Sequence, residues 1–220
     1  MIYSTLTVSS DAESTNLTTR TRVKTMLAIT SSDEDAYLDM VIPQASAAAC
    51  NYIGVRAGDD GLCTLGKETV IETFRLTREE PGIPLSRWPV VSITTVVEDD
   101  DEDELESDEY EIDKPTGILR RLDGDENRLN WTSVKVTVTY IAGWVLPGDS
   151  GTRTLPYDIE DAVISLIKAA RAARTRDPLI RSESVDGVGR TDYWVRGIGE
   201  SGGIPPDVAS KLDPYRNLNI

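Results

Sequence analysis

The sequence predicts an α+β fold in which a helical core of about four helices carries an antiparallel β-hairpin or sheet insertion. Apolar residues recur at helical spacing in segments 18–29, 33–53 and 158–176. Segment 66–142 contains short alternating or β-branched runs separated by Pro- and Gly-rich loops, which is typical of antiparallel strands. A short final helix is expected from Pro205/Pro206 to Leu212, within an extended C-terminal arm.

The first 17 residues are rich in Ser and Thr and predict a flexible arm. Ile2, Leu6 and Val8 could instead add a short strand to a neighbour. At the end of this arm, Thr18 is expected to cap the first helix. The chain is therefore predicted to comprise an N-terminal arm (1–17), a single domain (18–180) and a C-terminal arm (181–220).

Segment 33–53 predicts the longest N-terminal helix, with acidic residues in its first turn that complement the helix dipole. Pro43 lies inside it and predicts a kink, because proline removes a backbone hydrogen bond. Gly54 is a suitable C-cap. The apolar face comprises Leu38, Val41, Ile42, Ala45, Ala49, Tyr52 and Ile53.

The strands of the insertion are predicted from period-two patterns. Strand 70–77 is imperfectly amphipathic, because Glu72 shares a face with Val70, Phe74 and Leu76. Strict alternation from Val134 to Tyr140 predicts a half-buried antiparallel strand. The remaining strands are 90–97, which is rich in β-branched residues, and a hairpin pair at 110–113 and 117–122.

Helix 158–176 has a main apolar stripe of Ile159, Val163, Leu166, Ala170 and Ala173. Ile164 and Ile167 fall beside that stripe, next to Lys168 and Arg171. A surface helix with a single apolar face normally carries polar residues at such positions, not isoleucines. Two explanations stay open: a wider intramolecular core, or contact with another subunit.

Composition excludes several function classes. The chain has no His, which removes His-based catalytic triads and His-ligated zinc. Its formal net charge of −15 disfavours binding to nucleic-acid phosphates. Cys50 and Cys63 lack metal-ligand spacing, and whether they pair is open. No apolar run is long enough to cross a bilayer, so no membrane partner is expected. The glycines do not follow Rossmann or P-loop order, and no cofactor is expected.

Segment 98–109 contains ten carboxylates, interrupted only by Leu105 and Ser107. Counted from Asp99, the segment begins like a calcium-binding EF-hand loop, but the sixth position is Glu104 instead of Gly and the twelfth is Tyr110 instead of Glu. A solvated hairpin loop is favoured, and a fixed negative patch that repels DNA or attracts a basic partner is the functional alternative. The carboxylates considered for that patch are Asp99, Asp101, Asp103, Glu104 and Glu106.

Basic residues concentrate at the end of helix 158–176, at Lys168, Arg171, Arg174 and Arg176, with Arg181 beyond. Cations in a last helical turn favour the helix dipole. The alternatives are a salt bridge with a neighbour's acidic surface, or contact with phosphate. Single-strand binding is disfavoured, because no aromatic residues are interleaved.

Seven segments, taken in order, resemble the head–tail connector (adaptor) family of tailed bacteriophages over residues 17–216. They are LTTRTRVKTML, SSDEDAYLDMVIPQASAAACNYIG, IPLSRWPVVSITTV, YEIDKPTGILRRL, VKVTVTYIAGW, LPYDIEDAVISLIKAA and IPPDVASKLDPYR. The resemblance implies a non-enzymatic virion protein of the head–tail neck, present in the host cytoplasm during assembly. Such adaptors form a ring, usually of twelve copies, beneath the portal protein. The ring extends the channel for genomic DNA and receives a stopper or tail protein.

The resemblance also implies that the C-terminal arm contacts neighbouring copies or the portal. Pro43 and the acidic segment 98–109 depart from the family pattern, so no role for that segment is inherited. Three other functions stay open: a head-completion stopper, an acidic metal-dependent hydrolase and a DNA-binding module. The contact residues implied by the family are Ile204, Pro205, Val208, Leu212, Tyr215 and Arg216.

Overall fold

A computed structural model describes residues 2–59, 61–99, 103–174, 182–185, 189–192 and 204–216. Its helices and antiparallel sheets confirm the predicted α+β class. The helices are α1 (Arg20–Met26), α2 (Asp35–Ile53), α3 (Tyr157–Ala173) and α4 (Pro206–Leu212), which a 3-10 turn at Asp213–Tyr215 follows. The strands are β1 (Ile2–Ser10), β2 (Glu68–Leu76), β3 (Ile83–Pro84), β4 (Val90–Glu98), β5 (Asp103–Glu104), β6 (Tyr110–Asp113), β7 (Ile118–Leu122), β8 (Arg128–Leu129), β9 (Lys135–Ala142), β10 (Ser182–Val185) and β11 (Gly189–Asp192).

The chain divides into two compact units. The β unit comprises Met1–Thr15 and Val55–Thr154, and the helical unit comprises Asn16–Gly54 and Leu155–Asn217. This division differs from the predicted one, because the N-terminal residues join the β-rich insertion and the C-terminal helix joins the other helices.

The β unit contains a five-stranded antiparallel sheet in the order β1-β2-β9-β4-β5 and a smaller sheet in the order β3-β7-β6, with β8 paired to β7. Both sheets contribute to one hydrophobic core, in which Trp131, Tyr140 and Phe74 are the largest side chains. The predicted hairpin is confirmed, since Ile112 pairs with Leu119. Alternation along β9 is also confirmed, because Val136, Val138 and Tyr140 are buried.

The predicted flexible N-terminal arm is wrong for residues 2–10. These residues form β1, which pairs antiparallel with β2 from Ile2 opposite Leu76 to Val8 opposite Val70. Leu6 is buried in the core. The outer edge of β1 is partly capped by hydrogen bonds, because the Val8 amide donates to Asp59 and Arg56 donates to the Ser4 carbonyl. The strand is therefore an intramolecular part of the sheet.

The N-cap of the first helix lies one residue later than predicted. Thr19, rather than Thr18, caps α1, and its side chain accepts a hydrogen bond from the Arg22 amide. In α2, the residues on both sides of Pro43 belong to one helix. Gly54 ends that helix with φ 83°, a left-handed conformation that glycine adopts without strain.

The centre of the buried face of α3 was predicted wrongly. Ile164 and Ile167 are buried within the chain, whereas Leu166 and Ala170 are only partly buried. The side chains of Ile164 and Ile167 are thus covered by the helical unit itself. This is the first of the two explanations, a wider intramolecular core. The buried side chains of α3 are those of Ile159, Glu160, Ala162, Val163, Ile164 and Ile167.

Helix α4 packs against α2 and α3 and buries Val208, Ala209 and Leu212. Polar contacts hold the same segment. The Lys211 ammonium donates to Asp161 at 2.6 Å, and the Tyr52 hydroxyl donates to Asp213 at 2.6 Å. Of the described parts of the predicted C-terminal arm, 204–216 is therefore integral to the helical unit, whereas β10 and β11 pair with each other in a two-stranded antiparallel sheet.

Candidate functional surfaces

The acidic segment emerges from the end of β4 and returns through the short strand β5. Its two flanks are held by one guanidinium: Arg121 lies 3.3 Å from the Glu98 carboxylate and donates to the Glu109 carbonyl at 2.9 Å. Arg121 also donates to the Leu122 carbonyl. Because its base is fixed to β7, the acidic segment projects from a structured platform.

The carboxylates within the segment are mostly open to solvent. Glu104, Glu106 and Asp108 are exposed, and Asp99 accepts a hydrogen bond from the Lys135 amide at 3.2 Å. Asp103 lies in β5, where its backbone pairs with Glu98. Asp101 lies outside the described residues. The favoured interpretation, a solvated loop between strands, is confirmed for the positions described.

The contact residues implied by the family resemblance fall into two groups. Four of them are buried within the helical unit: Ile204, Pro205, Val208 and Leu212. Tyr215 is partly buried, and its hydroxyl lies 3.5 Å from the Asp158 carboxylate. Arg216 is exposed, and its guanidinium carbon lies 5.3 Å from the centre of the Tyr52 ring. Of these six residues, only Tyr215 and Arg216 present side chains that a partner could contact.

The basic residues of α3 do not form one free patch. Arg171 donates two hydrogen bonds to Glu34, at 2.6 and 2.7 Å, and this pairing lowers the pKa of the Glu34 carboxyl. Arg174 lies over the Tyr37 ring at 4.2 Å. Lys168 is exposed, and Arg176 lies outside the described residues. Intramolecular pairing therefore accounts for much of this cluster.

A buried carboxylate in the helical unit had no counterpart in the predictions. Glu160 is 3% exposed and accepts hydrogen bonds from Arg22 at 2.5 and 2.8 Å and from the Thr18 hydroxyl at 2.9 Å. The pairing joins the start of α1 to α3 across 138 residues of sequence. The available signal was an acid three, four and seven positions before Val163, Ile164 and Ile167, the spacing that places it on one helical face with them.

A second buried carboxylate lies in the core of the β unit. Glu72 is fully buried and accepts hydrogen bonds from the Ser86 amide and hydroxyl, the Tyr140 hydroxyl and Arg56. Here the sequence did give a signal, because Glu72 interrupts the apolar face of its strand. Full hydrogen bonding offsets much of the cost of burying the charge.

A buried arginine neighbours this network. Arg87 is 4% exposed and lies 3.3 Å from the carboxylate of Glu68, which is also buried. Its backbone amide donates to the Tyr140 hydroxyl at 3.1 Å. Burial, together with the nearby Glu72 charge, raises the pKa of Tyr140 well above its ordinary value. The ionised groups in this core are thus arranged as pairs.

The described ranges contain neither a metal site nor a disulfide. No group of His, Cys, Asp or Glu there could hold a metal ion. Cys50 and Cys63 do not form a disulfide, and the Cys63 thiol donates to the Val55 carbonyl at 3.1 Å. Of the helices described, none combines the length and the apolar character needed to cross a membrane.

Comparison with known families gives one extended match. The family model described as head completion protein matches residues 16–218. No curated protein sequence matches the chain. The matched range contains the four helices named above and every named strand except β1. Because it covers far more than half of the sequence, this chain belongs to the head completion protein family of phage head–tail connector proteins.

Proposed function

We propose that this protein is a non-enzymatic adaptor that forms a ring of about twelve copies beneath the phage portal, the copy number being the one implied by the family resemblance. The ring would extend the DNA channel and join the capsid to the tail or to the next connector. The observation that carries the proposal is the match to the head completion family over residues 16–218.

The charge distribution supports a role beside moving DNA. The chain has a net charge of −15, and the exposed carboxylates Glu104, Glu106 and Asp108 lie on a segment whose base Arg121 holds. A channel lined by such groups would let DNA slide, because phosphate contacts with cations cost free energy to break. At cellular salt, charges act over about 8 Å, so only carboxylates near the lumen would contribute.

Docking on the portal is proposed to use the exposed part of the C-terminal segment. Tyr215 and Arg216 are the family-implied contact residues that retain accessible side chains. Tyr and Arg are residue types enriched in protein interfaces. The buried residues Ile204, Val208 and Leu212 would then support these two from within the helical unit.

Electron microscopy of the purified protein, alone and mixed with portal protein, tests this function. We expect rings bound to the portal, with one end free for a stopper or tail protein. Rings that bind tail components but not the portal would instead identify a stopper. Failure to bind either component would overturn the proposal, whereas a monomer that assembles only on the portal agrees with it.

A further inference from the structure

The outer face of the five-stranded sheet is unusual for so acidic a chain. On β1, β2, β9 and β4, alternate residues such as Val70, Phe74 and Val138 are buried in the core, and the residues between them point to the opposite side. None of the residues on that side of these four strands is a carboxylate, whereas the fifth strand, β5, pairs Glu104 with Val97 and so places an acid at the edge of the face. We define the threonine face as Thr5, Thr7, Ile71, Thr73, Thr137 and Thr139.

Strand pairing arranges the threonine face in rows. Thr5, Thr73 and Thr137 form one row, in which the hydroxyls of Thr73 and Thr137 are 3.3 Å apart. The next row consists of Thr7, Ile71 and Thr139. On β4, the uncharged residues Val97 and Thr95 continue the two rows, and the first row ends at Glu104 on β5.

The acidic side chains of β2 point to the core, although solvation favours charged side chains on the outer side of a strand. Its two carboxylates, Glu68 and Glu72, point into the core, where Arg87 and Arg56 lie against them. Taking a charge out of water costs several kcal/mol before pairing offsets it. A strand that served only as an exposed surface would carry its acids on the outer side, yet β2 presents Thr and Ile there.

The margin of this face has the composition of an interface. In the row beyond Thr5 and Thr73, Tyr3 pairs with Arg75, which pairs with Lys135. The Tyr3 side chain is 60% exposed. Interface cores are depleted in charge, and Tyr and Arg are enriched in interfaces. From strand spacing, three rows on four strands cover roughly 400 Å², about half of one partner's share of a standard interface.

We propose that the threonine face is the surface by which one copy of this chain contacts the next in the ring, which rests on the proposed adaptor function. Every copy carries a net charge of −15. Carboxylates of two copies opposed across an interface would repel each other at a cost of several kcal/mol. Over β1, β2, β9 and β4 this surface has no carboxylate and is bordered by Arg75 and Lys135, so these four strands accept another acidic copy without that cost, and Glu104 marks the β5 edge of the contact. The contact is head to tail, because a closed ring requires a different surface on the neighbour.

The test introduces like charge on this face. The double variant Thr73→Glu/Thr139→Glu adds two carboxylates on adjacent central strands, and Thr116→Glu/Thr132→Glu adds the same charge at exposed positions elsewhere in the β unit. Thermal unfolding reports folding, and electron microscopy with mass photometry reports rings on the portal. We expect the first variant to need about ten-fold or more protein for ring formation, equivalent to about 1.4 kcal/mol, and the control to match the wild type.

A photo-crosslinking residue at Thr137 gives a second readout that does not depend on the stability of the charged variant. We expect adducts with the mass of two copies in assembled rings. Unimpaired rings of the Thr73/Thr139 variant, or rings without such adducts, would overturn the proposal for this face and leave the adaptor function intact. Wild-type protein that forms no ring with the portal would instead overturn the adaptor function, and the assignment of this face with it.

Discussion

The Tyr140 hydroxyl donates a hydrogen bond to the Glu72 carboxylate at 2.9 Å, inside the core of the β unit. The same hydroxyl accepts a hydrogen bond from the Arg87 amide at 3.1 Å. One phenol therefore links β9, β2 and the segment that precedes β4. Because both partners are buried, water cannot replace the hydroxyl, and its loss leaves the Glu72 carboxylate and the Arg87 amide without this hydrogen bond.

Replacement of Tyr140 by Phe should lower the free energy of unfolding by about 1–3 kcal/mol, the cost of leaving a buried donor or acceptor unsatisfied. Urea denaturation followed by fluorescence measures the change. Tyr3→Phe is the control, because the Tyr3 side chain is 60% exposed. Equal midpoints for the two variants would show that the buried hydroxyl does not stabilise the core.

The same pair predicts a dependence on alkaline pH. Burial and the Glu72 charge raise the pKa of Tyr140 in the folded protein. The unfolded chain releases this proton near pH 10, at about the ordinary tyrosine pKa, while the folded protein retains it. Stability is therefore complete below about pH 10 and decreases as the pH rises toward the folded-state pKa. The decrease should be shallower in Tyr140→Phe, and an unchanged slope would contradict the assignment.

Arg22→Ala should destabilise the helical unit far more than Arg20→Ala. Arg22 pairs with buried Glu160, whereas Arg20 pairs with Asp39, whose side chain is 57% exposed. Removing the partner of a buried charge costs about 3–5 kcal/mol, although the partial exposure of Arg22 favours the lower end of that range. An exposed pair contributes about 0–1 kcal/mol. Denaturant midpoints of the two variants give the comparison, and similar losses would argue against this difference.

Ile164→Ser combined with Ile167→Ser should unfold the helical unit instead of selectively blocking assembly. Both side chains are buried within the chain, and truncating a buried isoleucine costs about 2–5 kcal/mol. Circular dichroism and thermal unfolding measure the effect, with the exposed Lys168→Ser as the control. A folded double variant that fails only to form rings would return these residues to the subunit interface.

The acidic segment should weaken contact between assembled rings and DNA. The triple variant Glu104→Gln/Glu106→Gln/Asp108→Asn removes three negative charges from exposed positions. Because these sites lie outside the core, stability should change by no more than about 0.5 kcal/mol per site. Binding of duplex DNA to portal-bound rings should increase, most clearly at low salt.

The control removes the same charge elsewhere, by Asp11→Asn/Asp125→Asn/Glu126→Gln, at exposed positions outside this segment. Salt titrations of DNA binding by the two variants are compared. A rise confined to the first variant would support a position near the DNA path. Equal rises would indicate a general effect of net charge and would contradict a specific role for the segment.

The local sequence pattern was sufficient to predict an element wherever residues close in sequence decide its structure. The hairpin of β6 and β7 and the alternation of β9 were predicted correctly, because turn residues and period-two spacing act over a few positions. Gly54 was identified as a helix end because its conformation is locally favourable for glycine. Order and spacing of such segments also carried the family resemblance, which the match over residues 16–218 confirmed.

Local pattern failed where distant segments decide burial. Residues 2–10 look like a polar arm, yet their partner β2 begins 58 residues after β1 ends. Ile164 and Ile167 were assigned to a secondary stripe because α3 has more than one apolar direction. Packing against α2 and α4 selects the buried direction, and periodicity within α3 contains no information about those helices.

The sequence by itself determined the α+β class, most strands and helices, the acidic character and the connector family, since each depends on local propensity, composition or the order of segments. Only the tertiary structure decided that Glu160 pairs with Arg22, that Glu72 lies in the core beside Tyr140, and that the sheet exposes threonines in their place. These outcomes depend on contacts between residues far apart in the chain. Burial is set by the whole assembled fold, and no single segment specifies it.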